Sequence, residues 1–221
     1  MKTLFIPAKI KSKANKPKIL EISKKLPKNI AIAYSIQYKD IAFEIKNILS
    51  SGSQRRANGK FTSLSKTHKI TKLVQVLGCS KPSFPKNTQA ILLISSGKFH
   101  AIPLTLEAKL PIYILEHNVL RKISKQDIES FKKRQKASYL KFLNADEIGI
   151  LVSTKPGQQN LKKALELKKK IKNKKSYLFI SNNIDINEFE NFRLNCWVNT
   201  ACPRLDMESN SIINMDKIEF E

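Results

Sequence analysis

The chain has 221 residues, 41% of them hydrophobic, which is enough to bury a core in one large domain or two small ones. Lys and Arg total 41 against 18 Asp and Glu, a net charge of +23 that suggests a polyanion partner. Only six of the cations are Arg and the lysines are scattered, whereas specific phosphate and base recognition recruits Arg forks, so a dedicated nucleic-acid reader is the lesser reading.

The opening MKTLFIPAKI has a short apolar run broken by Pro7, and no stretch approaches the ~18 to 20 apolar residues of a membrane span, so a soluble, cytoplasmic protein is expected. Apolar runs rich in Ile, Val, Tyr and Phe then alternate with stretches of helical spacing, the pattern of an α/β protein built on mainly parallel sheets. Strands are expected at Leu4 to Ala8, Ile30 to Ser35, Val74 to Leu77, Ala90 to Ile94 and Ile112 to Leu115. A helix from about Asp40 to Ser50 carries Ile41, Ile45 and Ile48 on one face. The basic stretch 50–72, with the Arg55 and Arg56 pair, reads as a loop or flexible insertion. A boundary is expected within about Glu116 to Lys125, giving units 1–118 and 119–221.

In the second unit, Ser124 and Asp127 form a capping-box pattern, and Ile128, Phe131, Tyr139, Phe142 and Leu143 continue a helical stripe. Strands follow at Ile148 to Ser153, Ser176 to Ile180 and Cys196 to Thr200. A helix from about Gln159 to Ile171 turns Leu161, Ala164, Leu165 and Ile171 inward and leaves its lysines as a solvated end.

Three cysteines are too few and too scattered for a disulfide framework. Cys79, in VQVLGCSKP, and Cys202, in CWVNTACPR, each follow a strand-like run, which puts both thiols where open α/β sheets build their sites. Arg204 sets a cation near the second, a setting that suits thiolates and metal ligands. Cys196 shares a face with Cys202 if the strand runs unbroken, and reads as a core residue. STKPGQQN, with Lys155, Gly157 and Gln158, joins a strand to a helix and offers backbone N–H groups to an anion, or is an ordinary turn. SSGKFH presents His100, either a structural group or a catalyst. No Walker loop, zinc-protease helix, CxxC pair or nucleophile elbow is present.

Taken in order, VLGCS, SSGKFH, FKKRQKASYLKFLNADEIGILVSTKPGQ, YLFISNNID and CWVNTACPR resemble the archaeal 2-(3-amino-3-carboxypropyl)histidine synthases of diphthamide formation. The resemblance implies two similar Rossmann-like units, the second and third of three α/β domains that each give one cysteine to a 4Fe-4S cluster, in a homodimer. It further implies an open iron site for S-adenosylmethionine, whose sulfur–carbon bond is cleaved by an electron from the cluster, and transfer of the 3-amino-3-carboxypropyl group to a histidine of elongation factor 2. Cys79 and Cys202 match the second- and third-domain ligands, and nothing matches the first. The expectation is therefore a split enzyme, with a separate chain carrying the missing N-terminal domain and an electron donor that the sequence does not identify. A homologue that no longer catalyses, or a basic RNA- or ribosome-associated module, is the alternative. Gln158 and Arg204 are the expected contacts for the methionyl group, with Lys155, Gly157 and His100 behind them. Because the family's domains look like copies of one unit, the two ligands are expected at like places in their sheets and at one cleft.

Overall fold

The computed structural model describes residues 4, 6, 8–51, 53–55, 61–63, 67–77, 79, 81–98, 100–207 and 209–219. They form two compact α/β units, Leu4–Ile128 and Glu129–Glu221.

In the first unit, α1 (Lys16–Ser23) precedes β1 (Asn29–Tyr34), α2 (Lys39–Ser51), a short hairpin of β2 (Ser53–Arg55) and β3 (Phe61–Ser63), β4 (Lys69–Gln75), β5 (Ala90–Ile94), α3 (Ala101–Ala108), β6 (Ile112–Glu116) and β7 (Val119–Lys122). The main sheet runs β4-β1-β5-β6-β7, parallel except for the last strand. The NIAIAY of β1 shows why two layers of helix are needed. Ile30, Ile32 and Tyr34 pack with Ile19 and Ile22 of α1 and with Ala42, Ile45 and Leu49 of α2, while Ala31 and Ala33 pack with Ala101 and Leu104 of α3. A strand buried on both faces reads as an unbroken apolar run. At the β6–β7 corner, His117 (φ 46°) and Asn118 (φ 64°) form a two-residue left-handed turn that suits the twist of the hairpin.

Several expected boundaries move. Leu4, Ile6 and Ala8 have no regular structure and the first two are exposed, so they form no strand; Phe5 and Pro7 lie outside the described residues. The strand expected from Val74 begins at Lys69 and ends at Gln75, because an edge strand half open to water carries Lys69 and Lys72 among its apolar residues. Those lysines were read as part of the 50–72 insertion, of which residues 52, 56–60 and 64–66 lie outside the described set. On α2 the centre of the buried face is Ala42, Ile45 and Leu49, with Ile41 and Ile48 half-buried beside it. The unexpected α1 is set by Asn15, whose side chain accepts from the Lys18 amide at 3.1 Å, and by Pro17 in its first turn.

Helix α4 (Lys125–Asn144) opens with the expected capping box: Asp127 N donates to Ser124 Oγ at 3.0 Å, and the Asp127 carboxylate accepts from Ser124 N and Oγ at 3.3 and 2.7 Å. In the second unit β8 (Glu147–Ser153), α5 (Leu161–Lys170), β9 (Lys175–Ser181), β10 (Cys196–Asn199) and β11 (Ile212–Asn214) form a fully parallel sheet ordered β11-β10-β8-β9. One face packs Ile148, Ile150, Val152, Cys196 and Val198 on Phe142, Ala164 and Leu167. On α5 it is Leu167, not the expected Leu165, that turns inward, and Leu165 is 44% exposed. The lysines after α5 are not all solvated: Lys174 Nζ donates to the carbonyls of Leu143 and Ala145 at 2.7 and 2.8 Å, serving the end of α4. The other face buries Trp197 against Phe189, ring centroids 4.2 Å apart.

Counted in chain order, both parallel sheets run second, first, third, fourth: β4-β1-β5-β6 and β9-β8-β10-β11. Two similar mainly parallel α/β units are what the sequence led one to expect.

Candidate functional site

Loops leaving the carboxyl ends of parallel strands are where such sheets hold ligands, because helix amino termini and free backbone groups converge there. Cys79 and Cys202 both occupy such loops. The first unit's ladder continues one residue past β4, with Val76 N donating to Tyr34 O at 2.8 Å; the chain then turns out, and Cys79 is exposed.

Cys202 is held much more firmly. Beyond β10, Thr200 Oγ1 donates to Leu151 O at 2.7 Å, which keeps the chain against β8. The Asn199 carboxamide, 3% exposed, donates to Cys202 O at 2.7 Å and to Asn214 Oδ1 at 2.6 Å while accepting from Ala201 N at 2.9 Å. Asn214 passes its own N–H on to Pro203 O at 2.7 Å, and Asn160, ahead of α5, donates to Thr200 O at 2.7 Å. Three carboxamides from three parts of the unit thus bond four peptide groups of residues 200–203: the carbonyls of Thr200, Cys202 and Pro203 and the amide of Ala201. They leave the half-buried Cys202 thiol as a side chain on a fixed loop. Asn199, Asn214 and Asn160 were not singled out from the sequence, where the only signal was a polar residue ending an apolar strand.

Cys196 differs in kind. It is fully buried on the α5 face, and burial pushes its thiol up to about 12, so it stays protonated and inert at neutral pH. The even spacing that would put it on the same face as Cys202 does not apply, because β10 ends at Asn199.

The two candidate ligands do not sit at like places in their sheets. Cys79 follows the second strand of its unit, an edge strand, and Cys202 follows the third strand of the other, next to the point where the strand order reverses. Internal symmetry therefore gives no support to the ligand pairing, which rests on the sequence motifs and on both loops leaving the carboxyl edge.

The turn Lys155 to Gln158 lies between β8 and α5, with Gly157 at φ 79° and Gln158 N donating to Lys155 O at 3.0 Å. Gln158 is a turn residue three positions ahead of α5, which begins at Leu161 and not at the expected Gln159. The Asn160–Thr200 bond ties this turn to the Cys202 loop, and a cavity of about 140 Å³ lined by Asn160, Lys163, Asn199, Thr200 and Ala201 lies beside them. Arg204, in a 3-10 turn over Pro203–Met207, is only 6% exposed and directs Nη1 at Met207 Sδ, 3.7 Å away. Beside it Asp206 is pushed up by burial, with a bond from Gln135 and the Arg204 charge opposing. His100 is half-buried at the residue before α3, in the first unit. In the preceding turn Glu116 accepts from Ser96 Oγ at 2.7 Å and Gly97 N at 3.0 Å, bonds that hold its carboxyl below the usual range. Among the described residues no group of three or more His, Cys, Asp or Glu is arranged to hold a metal ion, and no helix is long and apolar enough to cross a membrane.

Comparison with known proteins gives these local features a family. Residues 1–212 match the family described as "Putative diphthamide synthesis protein". The chain is 28% identical over 211 residues to a 2-(3-amino-3-carboxypropyl)histidine synthase of Pyrococcus horikoshii, an alignment that spans 93% of this chain and 60% of that protein. The crystal structure of Dph2 from Pyrococcus horikoshii superposes with a TM-score of 0.69 at 25% identity, covering 91% of this chain and 59% of that one. The structure of that protein with a 4Fe-4S cluster gives the same TM-score at 22% identity, over 93% and 64%. The chain thus spans about three fifths of the length of these relatives. It belongs to the diphthamide synthesis protein family.

Proposed function

We propose that this chain takes part in moving the 3-amino-3-carboxypropyl group of S-adenosylmethionine to a histidine of elongation factor 2. In this reading Cys79 and Cys202 are two of three thiolate ligands to a 4Fe-4S cluster, and the units are the second and third domains of the family's three. The observation that carries it is the sorting of the cysteines: Cys196 is sealed in a core, whereas Cys79 and Cys202 are free thiols on loops at carboxyl edges, one in each unit. The family match and the cluster named for the Pyrococcus protein supply the chemistry that such thiols serve.

The donors are of the right kind, since thiolates are the usual ligands of such clusters, but they number two. The third is proposed to come from a separate polypeptide with the family's first domain, and the thiols to meet at one cleft. When bound, the cluster supplies the electron that opens the sulfur–carbon bond. The chain's own part is to bind and orient. Asn199 and Asn214 fix the Cys202 loop. The Lys155, Gly157 and Gln158 turn, with Arg204 and His100, is proposed to receive the methionyl group. A homodimer and an external one-electron donor complete the assembly, which works in the cytoplasm.

Transfer of labelled aminocarboxypropyl to elongation factor 2, measured with the first-domain chain present, tests the reading. Cys79→Ala and Cys202→Ala should each abolish transfer and Cys196→Ala should retain it. Equal activity in all three variants would favour the basic RNA-associated module, and no transfer by the unaltered chain would favour a homologue that has lost catalysis.

A further inference from the structure

The positive charge is unevenly divided. Residues 1–128 carry 24 Lys and Arg against 6 Asp and Glu, and residues 129–221 carry 17 against 12. Six of those 24 line the edge of the first unit's sheet opposite the cysteine loop. Lys24, Lys25 and Lys28 precede β1, Lys69 opens β4, Lys86 precedes β5 and Lys109 precedes β6; all six are exposed. Every parallel strand of the sheet is thus entered through lysine, and the entering segments 24–28, 67–69, 85–89 and 109–111 contain no Asp or Glu.

Backbone bonds hold these segments side by side: Lys69 N to Lys28 O, Gln89 N to Asn29 O and Ile91 N to Pro111 O, each 2.9 Å. Four strands at ~4.8 Å spacing make the row about 14 Å wide. Among the described residues none of the six lysines is in an ion pair. The nearest carboxylates in sequence are taken by other lysines, Glu21 by Lys18 and Glu107 by Lys81, both at 3.5 Å. Compensation of helix dipoles accounts for Lys24, Lys25 and Lys109, which follow the ends of α1 and α3. It does not account for Lys28 or Lys86.

We propose that this amino edge binds the phosphate backbone of nucleic acid without regard to sequence. Lysine point charges suffice for backbone neutralisation, whereas base reading calls for forks that are missing here. The entering segments offer no exposed aromatic or branched aliphatic side chain: Leu26 is buried and Leu110 half-buried, and the exposed apolar residues are Pro85 and Pro111. A membrane surface or a protein partner would call for exposed aromatic or aliphatic anchors. The proposal is independent of the cysteine site.

The test titrates the full chain into a labelled RNA duplex and a labelled DNA duplex over a series of salt concentrations. Six phosphate contacts give a slope of log affinity on log salt of about −5. The variant K28E/K69E/K86E/K109E should flatten that slope by about 4 and weaken binding at least about tenfold near 100 mM salt. A variant with the same change of net charge elsewhere, K162E/K168E/K169E/K172E on and after α5, should stay within about threefold of the unaltered chain. Thermal melting of all three proteins checks that they are folded. Equal losses in the two variants would mean that only net charge matters, and unchanged binding in the first would place the contact elsewhere; either overturns the proposal. So would tighter binding to anionic phospholipid vesicles or to polyglutamate than to both duplexes.

Discussion

The side-chain amide of Asn199 donates to the main-chain carbonyl of Cys202 across 2.7 Å, so the last residue of a buried strand sets the path of the loop that carries a candidate iron ligand. Asn199→Ala removes three bonds at once and leaves the Asn214 oxygen and the Ala201 amide unpaired in a buried place. A cost of about 2 to 4 kcal/mol in folding stability is expected from such unpaired groups. The Cys202 thiol should also react faster with a maleimide while Cys79 keeps its rate, a local readout that general destabilisation at mild temperature would not give. Equal acceleration at both thiols would count against a positioning role.

Alkylation should sort the three cysteines without any cofactor. In the native protein at pH 8, iodoacetamide should label Cys79 and Cys202 and spare Cys196, whose thiol is buried and pushed up to about 12; in denaturant all three should react. Peptide mass spectrometry reads the result, and native labelling of Cys196 at the rate of the others would contradict the packing described.

Trp197 occupies the space above Gly149 on the neighbouring strand, and a Cβ at 149 would overlap the indole ring. Gly149→Ala should therefore cost about 1 to 3 kcal/mol in urea unfolding and shift the tryptophan fluorescence, since the ring must leave its stack on Phe189. Unchanged stability would mean that the two strands part easily.

Asp127 is held below the usual carboxylate range, first by Lys98 and then by Ser124, and Glu116 by Ser96 and Gly97. Both pKa values are lowered by folding, so the stability they contribute is present above their unfolded values of 3.8 and 4.5 and is lost as pH falls through the folded ones. Melting temperature should thus fall between about pH 5 and pH 3, and the fall should be shallower in a D127N/E116Q double variant. Ser124→Ala should cost about 1 kcal/mol at neutral pH through loss of the cap.

Elements buried on both faces were legible: Ala90–Ile94 is an unbroken apolar run and lies where expected. The half-open β4 was legible only at its end, because its first residues Lys69, Thr71 and Lys72 look like the polar stretch before it, whereas β9, also half open to water, lies where expected. On α5 one position was misread: Leu161, Ala164 and Ile171 face the core as expected, but Leu167 joins them in place of the equally apolar Leu165. At the site, the adjoining motifs pointed to Cys79 and Cys202. The carboxamides behind Cys202 were hidden because their partners come from strands 15 residues apart and from the turn before α5. The expectation of like placement failed for a related reason: the same strand order can carry a thiol after its second or its third strand without altering the core.

Anaerobic reconstitution with ferrous iron and sulfide, followed by transfer to elongation factor 2, tests the central claim most directly. The chain should be compared alone, with a chain carrying the family's first domain, and with that chain after Cys79→Ala or Cys202→Ala. The account predicts weak iron retention alone, a 4Fe-4S absorption and paramagnetic signal with group transfer in the mixture, and loss of both in either cysteine variant. Full transfer by the chain alone, or a mixture whose signal and transfer survive loss of both cysteines, would contradict it.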